Sequence, residues 1–296
     1  MSEKKRERLT GYAFSLPAFL FMIALIGFPV VYNWYISFHN MTSRTFNAGK
    51  VVFNGIENYI TTLTDPNFTT AFFNTLIYTI ACLIIQFSIG FLLAILFNQK
   101  FKLAQPLRGF LVISWILPMT VVALMFKYMF SDSGVINYIL TSLHLIKEPI
   151  EWLTSTKNAL PTVILTNSWV GIPFNMLLLA TGLSNISTDV YESAMIDGAS
   201  GIKRFIYITV PLLKQSILAV LVLGFVYTFK VFDLVYVMTG GGPVNSTEVL
   251  STYSYRESFQ YFDFGNGAAS ANILFICLFL VGLIYIKMIG KDEANE

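Results

Sequence analysis

Lys230 and Asp233 stand in a stretch, 217–238, that carries no other charge. Three residues of helix bring two side chains onto one face, so this pair can neutralise itself. A lysine at the centre of an apolar span costs about 2.5–3.5 kcal/mol on insertion scales. The pair is therefore either a lock between packed helices or a contact to a passing solute. The other reactive side chains lead away from catalysis. Cys82 and Cys277 each sit alone in apolar runs, which is neither a disulfide framework nor a zinc pattern. His39 and His144 are isolated in polar segments, and no pair of carboxylates stands out for acid–base work. The run Gly198-Ala199-Ser200-Gly201-Ile202-Lys203 has the wrong spacing for a G-x-x-x-x-G-K-[ST] phosphate cradle. No catalytic residue, metal ligand or bound cofactor is expected in this chain.

A second informative segment is Ser187–Pro211. Asp189 reads as a helix N-cap with Glu192 completing a capping box. Val190, Tyr191, Ala194 and Met195 fall on one helical face. Gly198 suits the left-handed residue that ends the helix, and Ser200 reads as the cap of a second helix carrying Lys203, Arg204, Phe205 and Ile208, stopped before Pro211. The product is a two-helix elbow, which periodicity alone reads as an amphipathic connector on a lipid surface.

The elements that hold these residues follow from composition. Of 296 residues, 55% are apolar and only 12% charged, with 27 phenylalanines. The mean hydropathy is +0.65. A soluble domain carries about 25% charge, so a water-solvated globule is excluded. A net charge of +2 implies no nucleic-acid partner. Crossing about 30 Å of hydrocarbon takes about 20 apolar residues. Stretches of that kind centre on 12–36, 71–97, 109–130, 159–182, 217–238 and 269–289. The third is short, the fifth holds the two charges, and continuous runs such as Ala81–Leu96 favour helices over barrel strands. The apolar run after Lys4, Lys5, Arg6 and Arg8 is too long for a signal peptide core, so it is expected to be a retained first span.

With the N-terminus inside, the inward segments hold 12 lysines and arginines and the outward loops six. The bias places both termini in the cytoplasm and makes 183–216 an inward loop. Residues 1–10 and 291–296 are then cytoplasmic tails, and 11–290 one six-helix membrane domain. The loops near 37–70 and 131–158 have room for short helices or a small cap; Pro149, Trp152 and the Ile-rich stretch near 135–150 allow the second either to dip toward the interface or to be a plain extracellular loop.

Within the elbow the residues run Glu192-Ser193-Ala194-Met195-Ile196-Asp197-Gly198-Ala199, then Phe205 and Pro211-Leu212-Leu213. This closely resembles the EAA loop of ATP-binding-cassette (ABC) importer permeases, with Ser193 replacing an alanine. Asn167-Ser168-Trp169-Val170-Gly171-Ile172-Pro173-Phe174, Met238-Thr239-Gly240-Gly241-Gly242-Pro243 and Tyr261-Phe262-Asp263-Phe264-Gly265 are similar to the sugar-importer branch. The chain thus resembles the first permease subunit of carbohydrate uptake systems of the maltose, multiple-sugar or glycerol-3-phosphate class.

That resemblance implies an all-α polytopic membrane protein with six transmembrane helices and the type I ABC importer permease architecture. It implies an ATPase-coupling loop (187–211) in which Glu192 pairs with a basic group or caps, Asp197 and Gly198 shape the turn, and Ala194 and Ala199 allow close approach. It implies a substrate pocket formed by Asn167, Val170, Gly171 and Phe174 with Tyr227, Thr228 and Val231, to which Lys230 and Asp233 are candidate additions. Its implied partners are a second, different permease in a pseudo-twofold pair, two ATPase subunits that hold ATP and magnesium, an extracytoplasmic solute-binding protein, the bilayer and a small carbohydrate. A polyol-phosphate permease is the nearer alternative, and an ion-coupled secondary transporter the more distant one.

Overall fold

The computed structural model of the protein describes residues 3–99 and 101–293. Lys100, Met1, Ser2 and residues 294–296 of the expected tails lie outside them, as do the side chains of Lys4, Lys5, Arg6, Arg8 and Lys291. Apart from two isolated β-bridges, the described residues form helices and their connections.

Among the described residues four helices are long and apolar enough to cross a bilayer: α1 (Gly11–Ser37), α2 (Pro66–Asn98), α5 (Ala159–Ser184) and α9 (Phe264–Met288). Two bent pairs bring the number to six if each is one span. The first is α3 (Ala104–Ile116) with α4 (Met119–Met129), at 96°. The second joins Gly201–Leu212 to α7 (Lys214–Phe229), at 67°. The elbow helix α6 (Thr188–Ile196) and the short α8 (Asp233–Met238) complete the set that matters here. The first helix already starts at Glu3, so the expected N-terminal tail is in part its first turns.

The chain divides into two compact units, Met1–Asp65 with Ser254–Ile273, and Pro66–Tyr253 with Leu274–Glu296. In the first, α1 passes through a π segment at Ile23–Gly27, just before Pro29, whose missing N–H disturbs the helical ladder. A polar cluster closes this unit. Asn272 donates to Ser37 Oγ and Tyr59 OH, both at 3.0 Å, and Asn58 donates to the Ser37 and His39 carbonyls at 2.9 Å. Amides that satisfy helix-end carbonyls in this way let the chain turn where lipid offers no partner.

The second unit is built on α2 against α5. In lipid, packing rather than water exclusion joins helices, so small residues decide how close they come. Gly90 does this: a Cβ there would stand 2.7 Å from Asn175 Cβ and 3.1 Å from the Ile172 carbonyl. One apolar cluster joins Tyr78 and Cys82 to Val163, Leu234 and Val235, and another joins Ala94 to Met176, Leu179, Leu213 and Val220. Beyond α4, Asn137 accepts from the Ile150 N–H and Trp152 Nε1 at 3.0 Å, which folds the loop before α5 back on itself.

The third and fifth spans differ from the expected continuous helices. The third breaks at Leu117-Pro118, where Leu117 is extended (φ −64°, ψ 140°). Proline lacks the amide that would continue the helix and disfavours helical torsions in the residue before it. The fifth, expected over 217–238, ends at Phe229, passes through Lys230, Val231 and Phe232, and resumes as α8. Ser251 Oγ donates to the Val231 carbonyl freed by the break. Non-helical backbone at such depth persists only where protein buries it or a cavity adjoins it.

Candidate functional site

A cavity of about 410 Å³ opens at those two breaks, within the second unit. Its wall includes Asn167, Val170, Gly171 and Phe174 of α5, and Tyr227, Thr228, Lys230, Val231 and Asp233 from the interrupted fifth span. All nine candidate pocket residues therefore meet in one place. Gln86, Trp115, Leu117, Met119, Gly224 and Phe232 join them and were not anticipated. Gln86 had a visible signal, a lone amide in an apolar run, and Trp115 stands just before the break at Pro118.

The wall divides into an aromatic side and an amide side. Trp115 stacks on Phe174 at 5.4 Å, and Phe174 meets Tyr227 edge-on at 6.0 Å. These rings come from α3, α5 and α7 and supply flat apolar faces. Opposite chemistry comes from Gln86, Asn167 and Thr228. Gln86 Nε2 donates to the Asn167 carbonyl at 3.2 Å, which leaves its amide oxygen as an acceptor. Gly171 is required for this arrangement, because a Cβ there would overlap the Gln86 amide. Asn167, Val170, Thr228 and Val231 are mostly buried, whereas Tyr227 is 60% exposed.

The pairing that continuous helical spacing would allow between Lys230 and Asp233 does not form. The helix ends at Phe229, so the two residues do not share a helical face. Lys230 instead caps the C-terminus of α7 with its Nζ 5.5 Å from the centre of the Tyr227 ring. Asp233 opens the first turn of α8. Each charge lies at the helix end whose dipole favours its sign, and each stays on the cavity wall.

The elbow has the expected two-helix form with two corrections. The N-cap is Ser187, whose hydroxyl accepts from the Asp189 N–H at 3.3 Å, so Asp189 is a first-turn residue and the Glu192 capping box is not formed. The helix after Ser200 is not stopped before Pro211. It continues through a π segment, Phe205–Thr209, into Val210–Leu212, and the π segment lies just before Pro211, whose missing N–H disturbs the helical ladder. Ser200 caps this helix as expected, accepting from the Lys203 N–H at 3.4 Å.

Gly198 ends α6 at φ +75°. Its N–H donates to the Met195 carbonyl at 3.1 Å and the Ala199 N–H to the Ala194 carbonyl at 2.9 Å, the paired bonds of a Schellman turn. The tip presents Ile196, 87% exposed, beside Glu192, Asp197 and Gly198, which are also exposed. Ala194 is buried in the chain itself, so its small side chain serves the elbow's own packing, while Ala199 is half-buried. The knob is thus held by two turn hydrogen bonds with its isoleucine exposed.

The chain is similar to known proteins. Residues 86–292 match the family described as binding-protein-dependent transport system inner membrane component. The sulfoquinovosyl glycerol transport system permease protein SmoG of Agrobacterium fabrum is 34% identical over 97% of this chain and 92% of its own length. The trehalose/maltose transport system permease protein MalF of Thermococcus litoralis is 32% identical over 96% of this chain and 95% of its own. A bacterial alginate ABC transporter, solved in complex with an alginate pentasaccharide-bound periplasmic protein, contains a chain with the same fold. Its TM-score is 0.81 at 22% identity, over 96% of this chain and 94% of that one.

Proposed function

Because this chain belongs to the family of binding-protein-dependent transport system inner membrane components, we propose that it is the carbohydrate permease subunit of an ATP-driven importer. The cavity at the two helix breaks carries this reading. Its aromatic trio covers the C–H faces of a sugar ring, and Gln86, Asn167 and Thr228 exchange hydrogen bonds with hydroxyls. Lys230 and Asp233 leave the wall without net charge, which suits a neutral saccharide better than a polyol phosphate. The names of the relatives, which include a trehalose/maltose permease, agree with a sugar, and family membership disfavours an ion-coupled carrier.

In this reading the chain spans the membrane as one domain over 11–290, with both termini in the cytoplasm. A second permease completes the pathway, and an extracytoplasmic protein delivers the sugar. Two ATPase subunits hold ATP and magnesium and grip the elbow at Ile196–Gly198, so that their closure moves the spans as rigid bodies. The chain itself performs no chemistry on the solute. Reconstitution with the cognate subunits and binding protein tests this. Asn167→Ala is expected to lower sugar uptake about tenfold, the cost of one lost buried hydrogen bond, with ATPase assembly unchanged. Unaltered uptake affinity refutes the contact, and failure of any ATPase to co-purify with the wild-type chain refutes the whole reading.

A further inference from the structure

A second cavity, of about 560 Å³, lies between the elbow and the adjacent ends of α2 and α5. Ile95, Leu183 and Phe205 form an apolar wall, and Asn98, Gln99 and Tyr191 a polar rim. Arg204 faces it, half-buried, with a buried Nε that has no hydrogen-bond partner. Among the described residues no carboxylate lines this cavity. A partly desolvated guanidinium with an unmatched donor is costly, and its planar fork fits tetrahedral or planar oxyanions.

The surroundings narrow the choice of anion. Asn98 is the last residue of α2 and Leu183 the last but one of α5, so the cavity sits level with the ends of two candidate spans, where an apolar helix surface gives way to polar residues. It thus combines one cationic fork, neutral hydrogen-bonding groups and an adjoining apolar slot. A peptide carboxylate would use the fork but not the slot.

We propose that this cavity binds a phosphoryl anion on Arg204 and that its occupant braces the elbow against the ends of α2 and α5. The group is either the headgroup of an anionic lipid or free phosphate. The bracing follows from the position of Arg204. The next residue, Phe205, packs against Phe91 of α2 at 5.6 Å, and Tyr191 OH bonds Thr209 Oγ1 at 3.0 Å across the two arms of the elbow. An anion between these groups ties the 67° bend to the bundle. An effect on energy coupling rests on the function proposed above, whereas the binding itself does not.

The test uses the assembled importer in nanodiscs of pure phosphatidylcholine or pure phosphatidylglycerol, with hydrogen exchange of amides 200–213 as the readout, so that ATP turnover is not needed. Exchange is expected to slow about tenfold in phosphatidylglycerol if the source is lipid, or on adding inorganic phosphate to phosphatidylcholine discs if it is soluble. Arg204→Gln is expected to abolish either effect, and Arg204→Lys, which keeps the charge without the fork, to retain part of it. Equal exchange under all conditions, or an effect that persists in Arg204→Gln, overturns the proposal. So does a loss of ATPase affinity in Arg204→Gln that is the same in both lipids with exchange unmoved, because the arginine would then pair with the motor subunit.

Discussion

Replacing Gly198 with alanine isolates a single torsion. The residue sits at φ +75° with nothing within 4 Å of where a Cβ would stand, so no clash contributes. The cost is the left-handed backbone alone, about 1–2 kcal/mol for a residue with a Cβ. The turn can relax only by giving up the Gly198–Met195 and Ala199–Ala194 hydrogen bonds, worth about 0.5–1.5 kcal/mol each, so strain and relaxation cost similar amounts. Either way the tip that carries Ile196 is misplaced in part of the population. The elbow is exposed, so the membrane bundle should melt at an unchanged temperature. Affinity for the ATPase subunits, measured by titrating detergent-solubilised permease with purified ATPase, should fall about 5–30-fold, and sugar-stimulated hydrolysis with it. Gly198→Asn should recover most of the loss, because asparagine enters the left-handed region more readily. An alanine variant that binds the ATPase as the wild type does, or an asparagine variant no better than alanine, refutes the assignment of the knob to coupling.

Two further outcomes follow from the helix contacts. Gly90→Ala places a methyl 2.7 Å from Asn175 Cβ and against the backbone of α5, so it should destabilise the bundle by about 1–3 kcal/mol, read as a lower melting temperature in detergent. Gly201→Ala, in open space, is the neutral control. Lys230→Met keeps the stem over Tyr227 but removes the charge, leaving Asp233 unbalanced on the cavity wall. Uptake of a neutral sugar should fall by less than tenfold and uptake of an anionic one by more, in a competition assay against one binding protein per sugar.

The four unbroken spans were legible because length and hydropathy determine them, and all lie within a few residues of the expected bounds. Two features were not. A run of apolar residues looks the same whether its helix is straight or broken, so 109–130 and 217–238 read as single spans. Pro118 announced the first break, but nothing as plain marks the second, where Val231 and Phe232 are ordinary membrane residues. The elbow was legible at Gly198 and Ser200, where backbone geometry restricts the residue type, and misread at Asp189. There Ser187 and Asp189 were both competent caps, and only the path of the preceding chain selects between them.

The pair Lys230 and Asp233 is also the most instructive part of the site. On a continuous helix Lys230 and Asp233 would neutralise each other and be lost to a solute. The break separates them, one at the end of α7 and the other at the start of α8, and the helix dipoles supply about 0.3–1 kcal/mol of compensation for each. Both residues are exposed on the cavity wall. Interrupting the span thus opens the cavity and, in the same step, leaves the two charges on its wall apart from each other.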